Sequence, residues 1–208
     1  MGVQERRQRE KAKRNNQIVD AAEQVIFAKG IHKATMDDIA KAAELGKGTL
    51  YGYYKSKAEI LLAINERASR KLAGLFAKVS QESETGRKKV RAIGQAYIQF
   101  AYDFPHYYQF ISLFEAGNME IDAEEVTKNN YRVNCELVSA IKAGIEDGSI
   151  RQDVNPEAVA KCLWAMSTGV IQLMHVKGEV MKRNQGLEAD EMFKHFFKIV
   201  EGGISYRD

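Results

Sequence analysis

Apolar positions along the chain recur at intervals of three and four, which predicts helices throughout and no strand-like alternation. Ile18, Ala22, Val25 and Ile26 mark a first helix over Asn16–Lys29, and Gly30 stops it. Thr35-Met36-Asp37-Asp38 is a capping-box pattern that opens a second helix, with Ile39 and Ala43 on its buried edge. A tight turn, Glu44-Leu45-Gly46, leads into a short third helix, Lys47–Tyr53. Ser56-Lys57-Ala58-Glu59 repeats the capping pattern and opens a fourth helix that runs to about Val79 on the stripe Leu61, Ile64, Ala68, Leu72, Phe76 and Val79.

Beyond the polar segment Ser80–Gly86, Val90, Ile93, Tyr97, Ala101 and Phe104 predict a helix over Lys88–Phe104, interrupted at Pro105. A short aromatic helix, Tyr107–Ala116, precedes a loop over Gly117–Asp122, and Asp122 is expected to cap a helix reaching Asp147 and Gly148. Asn155-Pro156 is an N-cap followed by proline at the first helical position, and predicts a helix to about Val176. A last helix covers Ala189–Ile204. The expected fold class is all-α with about nine helices.

The third helix carries the most information. Lys47, Gly48, Thr49, Tyr51, Gly52 and Tyr53 are too polar or too small for a segment built only to pack. A short helix with such an outer face can enter the DNA major groove. Charge agrees. The net charge is +3, yet residues 1–57 hold 12 Lys and Arg against 7 Asp and Glu, leaving 19 against 21 in residues 58–208. A basic patch supplies the sequence-independent part of DNA affinity. Residues 1–15 hold six basic and two acidic side chains and nothing to bury, which fits either a solvated helix extension or a basic arm near phosphate or minor groove.

The stretch IVDAAEQVIFAKGIHKATMDDIAKAAELGKGTLYGYYKSKAEIL, Ile18–Leu61, resembles the helix-turn-helix domain of the TetR family of transcriptional regulators. The resemblance implies an N-terminal three-helix DNA-binding domain (residues 1–57, with a basic arm) and a larger helical effector-binding and dimerisation domain (58–208). Thr35 is then expected to cap the second helix and touch a phosphate. Lys47, Gly48 and Thr49 would face base edges or phosphates, Tyr51 a phosphate, and Gly52 and Tyr53 the groove. Lys57 would grip the backbone, while Leu50 and Tyr54 belong to the core. Two positions depart from the family pattern. Glu44 stands where glycine is usual, because the turn favours positive φ, and Gly46 stands where Ser or Thr usually caps.

The rest of the chain matches the family in helix layout, with GSIRQDVNPEAVA, Gly148–Ala160, as a further likeness. Tyr97, Phe100, Phe104, Tyr107, Phe110, Phe114, Tyr131, Trp164, Met166 and His175 are candidate linings for a small hydrophobic or aromatic effector, although any one of them also suits ordinary core packing. Val159, Leu163, Val170 and Leu173, with Phe193, Phe196, Phe197 and Val200, give the last two helices surplus apolar faces, and are candidates for a homodimer interface. The expectation is a regulator, by family default a repressor, that binds a near-palindromic operator as a dimer and is released by its effector.

Other classes fit less well. His32, His106, His175 and His195 are scattered, and no HExxH, CxxC or nucleophile-elbow spacing occurs, so an enzyme is not expected. The acidic run Glu115–Glu125 lacks the order of a calcium loop, and neither a metal nor a cofactor is expected. Cys135 and Cys162 read as small core residues of a reducing cytoplasm. No run of about 18 apolar residues suggests a membrane span. A non-specific architectural DNA-binding protein is the remaining alternative, weakened by the acidic balance of residues 58–208.

Overall fold

The computed structural model describes residues 2–115 and 123–205. In these the chain forms α1 (Val3–Lys29), α2 (Met36–Ala42), α3 (Lys47–Tyr53), α4 (Lys57–Gln81), α5 (Gly86–Asp103), α6 (Pro105–Glu115), α7 (Ala123–Glu146), α8 (Pro156–Gln185) and α9 (Ala189–Ile204). Among the described residues the sole β pairing is an isolated bridge between Ile150 and Ser205. The expected loop over Gly117–Asp122 and its cap Asp122 lie outside the described residues.

Two helices are longer than apolar periodicity predicts. α1 begins at Val3 rather than Asn16, because Gln, Glu, Arg, Lys and Ala are good helix formers that need no apolar stripe. α8 continues past Val176 to Gln185, and ends where Gly186 takes a left-handed conformation at φ 68°.

The chain divides into two compact units. One takes residues up to Arg67 together with Leu113–Val126, and the other takes Ala68–Ser112 and the chain from Thr127 onward. The dividing point lies inside α4, whose first residue is Lys57.

In the first unit, Ile18, Ala22 and Ile26 of α1, Ile39 of α2, Leu50 of α3 and Ile60, Leu61 and Ile64 of α4 are all buried. Arg67 of α4 ties down α1 through Asp20 at 2.6 Å and Glu23 at 3.2 Å. Asn65 is fully buried, and neither atom of its side-chain amide has a hydrogen-bond partner.

In the second unit the core gathers Leu72 and Phe76 of α4, Ile93, Tyr97 and Phe100 of α5, Leu137 and Ile141 of α7, Leu163 and Ile171 of α8, and Phe196, Phe197 and Val200 of α9. The first turn of α5 meets the last turns of α7 backbone to backbone. A Cβ on Gly86 would fall 1.9 Å from the Gly144 nitrogen, so only glycine fits there. The Gly86 N–H donates to Asp147 Oδ2 at 2.7 Å and the Arg87 N–H to Ser149 Oγ at 3.1 Å, which fixes the junction. Cys162 is exposed and Cys135 half-buried, so neither is the enclosed core residue its helical setting suggested.

Candidate nucleic-acid interface

α2, the turn and α3 owe their geometry to local bonds. Thr35 Oγ1 accepts from the Asp38 N–H at 3.2 Å, and Asp38 Oδ2 accepts from the Thr35 N–H at 3.2 Å, which closes the capping box. The other Asp38 oxygen takes the Lys29 ammonium at 2.6 Å. Lys29 first, then Thr35, hold the Asp38 carboxyl down to a pKa of about 2. α2 ends in a Schellman arrangement: the Leu45 N–H donates to Ala40 O at 2.9 Å and the Glu44 N–H to Lys41 O at 3.2 Å. Glu44 occupies the left-handed position of that motif at φ 55°, the conformation that makes glycine usual there. Gly46 caps α3 with no side-chain bond.

On α3, Leu50 is buried, while Lys47, Gly48, Thr49, Tyr51 and Gly52 are exposed and Tyr53 and Tyr54 are half-buried. One turn of helix therefore presents Lys47, Gly48 and Thr49 together, and the next presents Tyr51 and Gly52. Nothing would stand within 4 Å of a Cβ on Gly48 or Gly52, so internal packing does not require these glycines. A helix lying directly against another surface would.

Two lysines are engaged in ways the sequence did not reveal. Lys47 Nζ lies 2.5 Å from Asp37 Oδ2, and that bond, with the Coulomb attraction behind it, raises the lysine pKa. Lys57 Nζ donates to Ile31 O at 2.8 Å and Ala34 O at 3.1 Å, where it braces the α1–α2 connection and keeps one further N–H. At the second capping pattern, Ser56 Oγ accepts from the Glu59 N–H at 3.3 Å, but the Glu59 carboxylate reaches the Lys55 N–H at 2.6 Å rather than that of Ser56.

The candidate effector residues do not converge on one site. Tyr97 stacks on Trp164 with centroids 4.6 Å apart, and its hydroxyl lies 3.0 Å from Thr168 Oγ1. Beside them is a cavity of about 30 Å³, room for a water molecule, lined by Phe76, Ile93, Leu137, Leu163 and Phe197. Arg91 covers it, 5.2 Å from the Phe197 ring and 2.5 Å from Glu201. Phe100, Phe110 and Phe114 are buried, while Phe104 and Tyr107 are half-buried with their rings 6.3 Å apart. Tyr131 and Met166 are exposed on the surface, because the apolar stripes of their helices turn inward elsewhere. His175 is exposed on a groove of about 370 Å³ shared with Tyr102, Met174, Lys182 and Glu188.

The candidate interface residues are also redistributed. Leu163, Phe193, Phe196, Phe197 and Val200 are buried in the core of the second unit, and Val159, Val170 and Leu173 are half-buried. The exposed apolar residues of these helices are Met166, Val176 and Val180 on α8 and Ile199 on α9. Among the described residues no group of three or more His, Cys, Asp or Glu could hold a metal ion, and no helix is long and apolar enough to cross a membrane.

Comparison with known proteins agrees with this geometry. Residues 18–64 match the family described as bacterial regulatory proteins, tetR family, and residues 90–198 match the tetracyclin repressor-like C-terminal domain. The HTH-type transcriptional activator FasR of Mycolicibacterium smegmatis is 32% identical over 87 residues, which span 42% of this chain and 40% of that protein. The HTH-type transcriptional repressor KstR2 of Rhodococcus jostii is 23% identical over 94% of this chain and 93% of that one. The crystal structure of the transcriptional regulator FadR from Bacillus subtilis in complex with stearoyl-CoA superposes with a TM-score of 0.72 at 19% identity, covering 90% of this chain and 98% of that one.

Proposed function

Because the chain belongs to the TetR family of bacterial regulatory proteins, we propose that it represses transcription by binding a near-palindromic operator as a homodimer, and that a small hydrophobic effector releases it. It is a DNA-binding transcriptional regulator and not an enzyme. The observation that carries the proposal is α3, which buries Leu50 and turns Lys47, Gly48, Thr49, Tyr51 and Gly52 outward. In the complex, Lys47 leaves Asp37 for guanine O6 or N7, and the Thr49 methyl meets a thymine methyl. Gly48 and Gly52 let the helix approach, and Thr35, Tyr51, Tyr53 and the remaining N–H of Lys57 contact the groove or its phosphates.

The second copy packs on the outward stripe of α8, where Met166, Val170, Leu173, Val176 and Val180 share one face, and on α9 around Ile199. Exposure of large apolar residues along one stripe supports this. A two-fold dimer of this kind sets its recognition helices about 34–36 Å apart, or a multiple of that, and so favours a palindrome.

The effector enters the second unit by parting the Tyr97–Trp164 stack, since the cavity of about 30 Å³ beside it must widen to the roughly 300 Å³ or more of a ligand site. Its apolar lining suits an acyl chain, and the stearoyl-CoA bound by the FadR neighbour makes that ligand the first probe. Repression is supported by KstR2, matched over nearly its whole length, whereas the activator FasR is matched over 40% of its own.

The test is selection of duplexes from a random library by the purified chain. The expected result is a near-palindrome bound about 10³-fold or more tighter than bulk DNA at physiological salt, and weakened by stearoyl-CoA. Equal binding to all sequences would overturn specific regulation in favour of an architectural role, and unchanged operator affinity with saturating stearoyl-CoA would overturn an acyl effector.

A further inference from the structure

Residues 2–14 bury nothing and so contribute no packing to the fold. Residues 2–14 are all exposed, and the first buried side chain of α1 is Ile18. The segment is nevertheless helical from Val3, although it concentrates positive charge. Arg7, Lys11 and Arg14 fall four and then three residues apart, on one face of that helix. Like charges at this spacing repel and weaken the helix that carries them. None of the three makes an ion pair among the described residues, and Glu10 is the one acidic side chain beside them.

This face is aimed in a definite direction. Arg7, Lys11, Lys13, Arg14 and Gln17 line an open groove of about 510 Å³ whose remaining wall includes Tyr53, the last residue of α3. The basic stripe and the end of the recognition helix thus open onto the same space. Glu10 also lines it, but Arg6 holds that carboxylate from the neighbouring face at 3.1 Å. What is left is a row of cationic donors with a phenol at one end, which is complementary to a chain of phosphates and offers nothing to an apolar partner.

Resting on the reading of this chain as an operator-binding regulator, we infer that the N-terminal part of α1 is a second DNA-binding element, which tracks the phosphate backbone beside the bases that α3 reads. Residues 3–14 span about 18 Å as a helix, enough to pass several phosphates spaced roughly 3.4 Å apart on the axis. Arg7, Lys11 and Arg14 are the phosphate ligands. They add affinity on every sequence and carry no base preference.

The full chain and the variant R7Q/K11Q/R14Q are compared on a mixed-sequence duplex across a salt series. Each phosphate contact contributes about 0.9 to the slope of log affinity against log salt, so the variant's slope should be shallower by about 2.7 for each subunit that contacts the duplex. Base preference in library selection should not change. A control variant, K78Q/K88Q/K142Q, removes equal charge from exposed positions of α4, α5 and α7, away from the faces proposed for the second copy, and should keep the wild-type slope. Because residues 2–14 bury nothing, melting of the triple variant should match wild type, which separates the effect from misfolding. A steep wild-type slope that the triple variant retains would overturn the inference and leave the regulator reading intact. So would loss of binding to vesicles of anionic phospholipid with the duplex slope unchanged. A wild-type chain with no salt-dependent affinity for duplex DNA would overturn both.

Discussion

Lys57 is where stability and DNA affinity can be separated by one substitution. Its ammonium sits on two carbonyls, Ile31 O at 2.8 Å and Ala34 O at 3.1 Å, and so links the start of α4 to the connection between α1 and α2. Hydrogen bonds from a charged donor contribute about 1.5–3 kcal/mol each, and solvent takes over part of that in a half-buried setting. Lys57→Ala should therefore cost about 2 kcal/mol for the pair, or roughly a 30-fold rise in local opening, at about 1.4 kcal/mol per factor of ten. Amide hydrogen exchange read by mass spectrometry over residues 30–46 measures this directly. Exchange there should accelerate about 30-fold, while peptides from α8 and α9 keep their rates. On DNA the same variant should lose affinity on every sequence, with a salt slope shallower by no more than about 0.9 for each subunit that contacts the duplex. Unchanged exchange beside a shallower slope would refute the brace and leave Lys57 as a phosphate contact alone.

Glu44→Gly should stabilise the first unit by about 0.5–1 kcal/mol, because release from a left-handed backbone outweighs the added freedom of the unfolded chain; a lower urea midpoint would contradict this. Asp38 titrates at about 2 in the folded protein against an ordinary 3.8, so its stabilisation is complete above pH 3.8 and is lost as pH falls through about 2. Asp38→Asn should flatten that limb of the urea midpoint plotted against pH, and an unchanged limb would exclude the Lys29 and Thr35 bonds as its source. Asn65→Leu should raise the urea midpoint by the equivalent of about 1–2 kcal/mol, since it removes a buried amide without partners. A fall would mean that the amide is bonded in solution to a buried water.

The helix-turn-helix was readable because its determinants are local. Thr35 and Asp38 are three residues apart, the Schellman bonds span Ala40–Leu45, and Leu50 is the apolar residue between exposed neighbours. Contacts that join distant residues were not readable. Asp37 meets Lys47 ten positions away and Lys57 meets Ile31 across 26, and no spacing rule connects either pair. The helical N-terminal extension was legible only as one of two readings of residues 1–15, because apolar periodicity is silent where nothing is buried, and propensity decides there. On α8 and α9 the pattern showed abundant apolar residues without showing which stripe faces inward. Phe193, Phe196, Phe197 and Val200 went to the core, and Ile199 to the surface. Large size alone likewise grouped Tyr97 and Trp164, which stack, with Tyr131, Met166 and His175, which lie exposed.

The contact between Gly86 and Gly144 has a mechanical consequence. With no side chain between the two backbones, and with the Gly86 and Arg87 N–H groups bonded to Asp147 and Ser149, that end of α5 has no room to slide along α7. A force applied farther along α5, at Tyr97 or Phe100, can only swing the helix about its pinned end. Displacement then grows with distance from Gly86. About 1.5 Å of axis per residue makes the lever arm to Asp103 some 25 Å, against about 16 Å to Tyr97. A ligand that shifts Tyr97 by one ångström would thus move the far end of α5 by about half as much again. A side chain at Gly86 would dislodge the bearing on which that amplification turns.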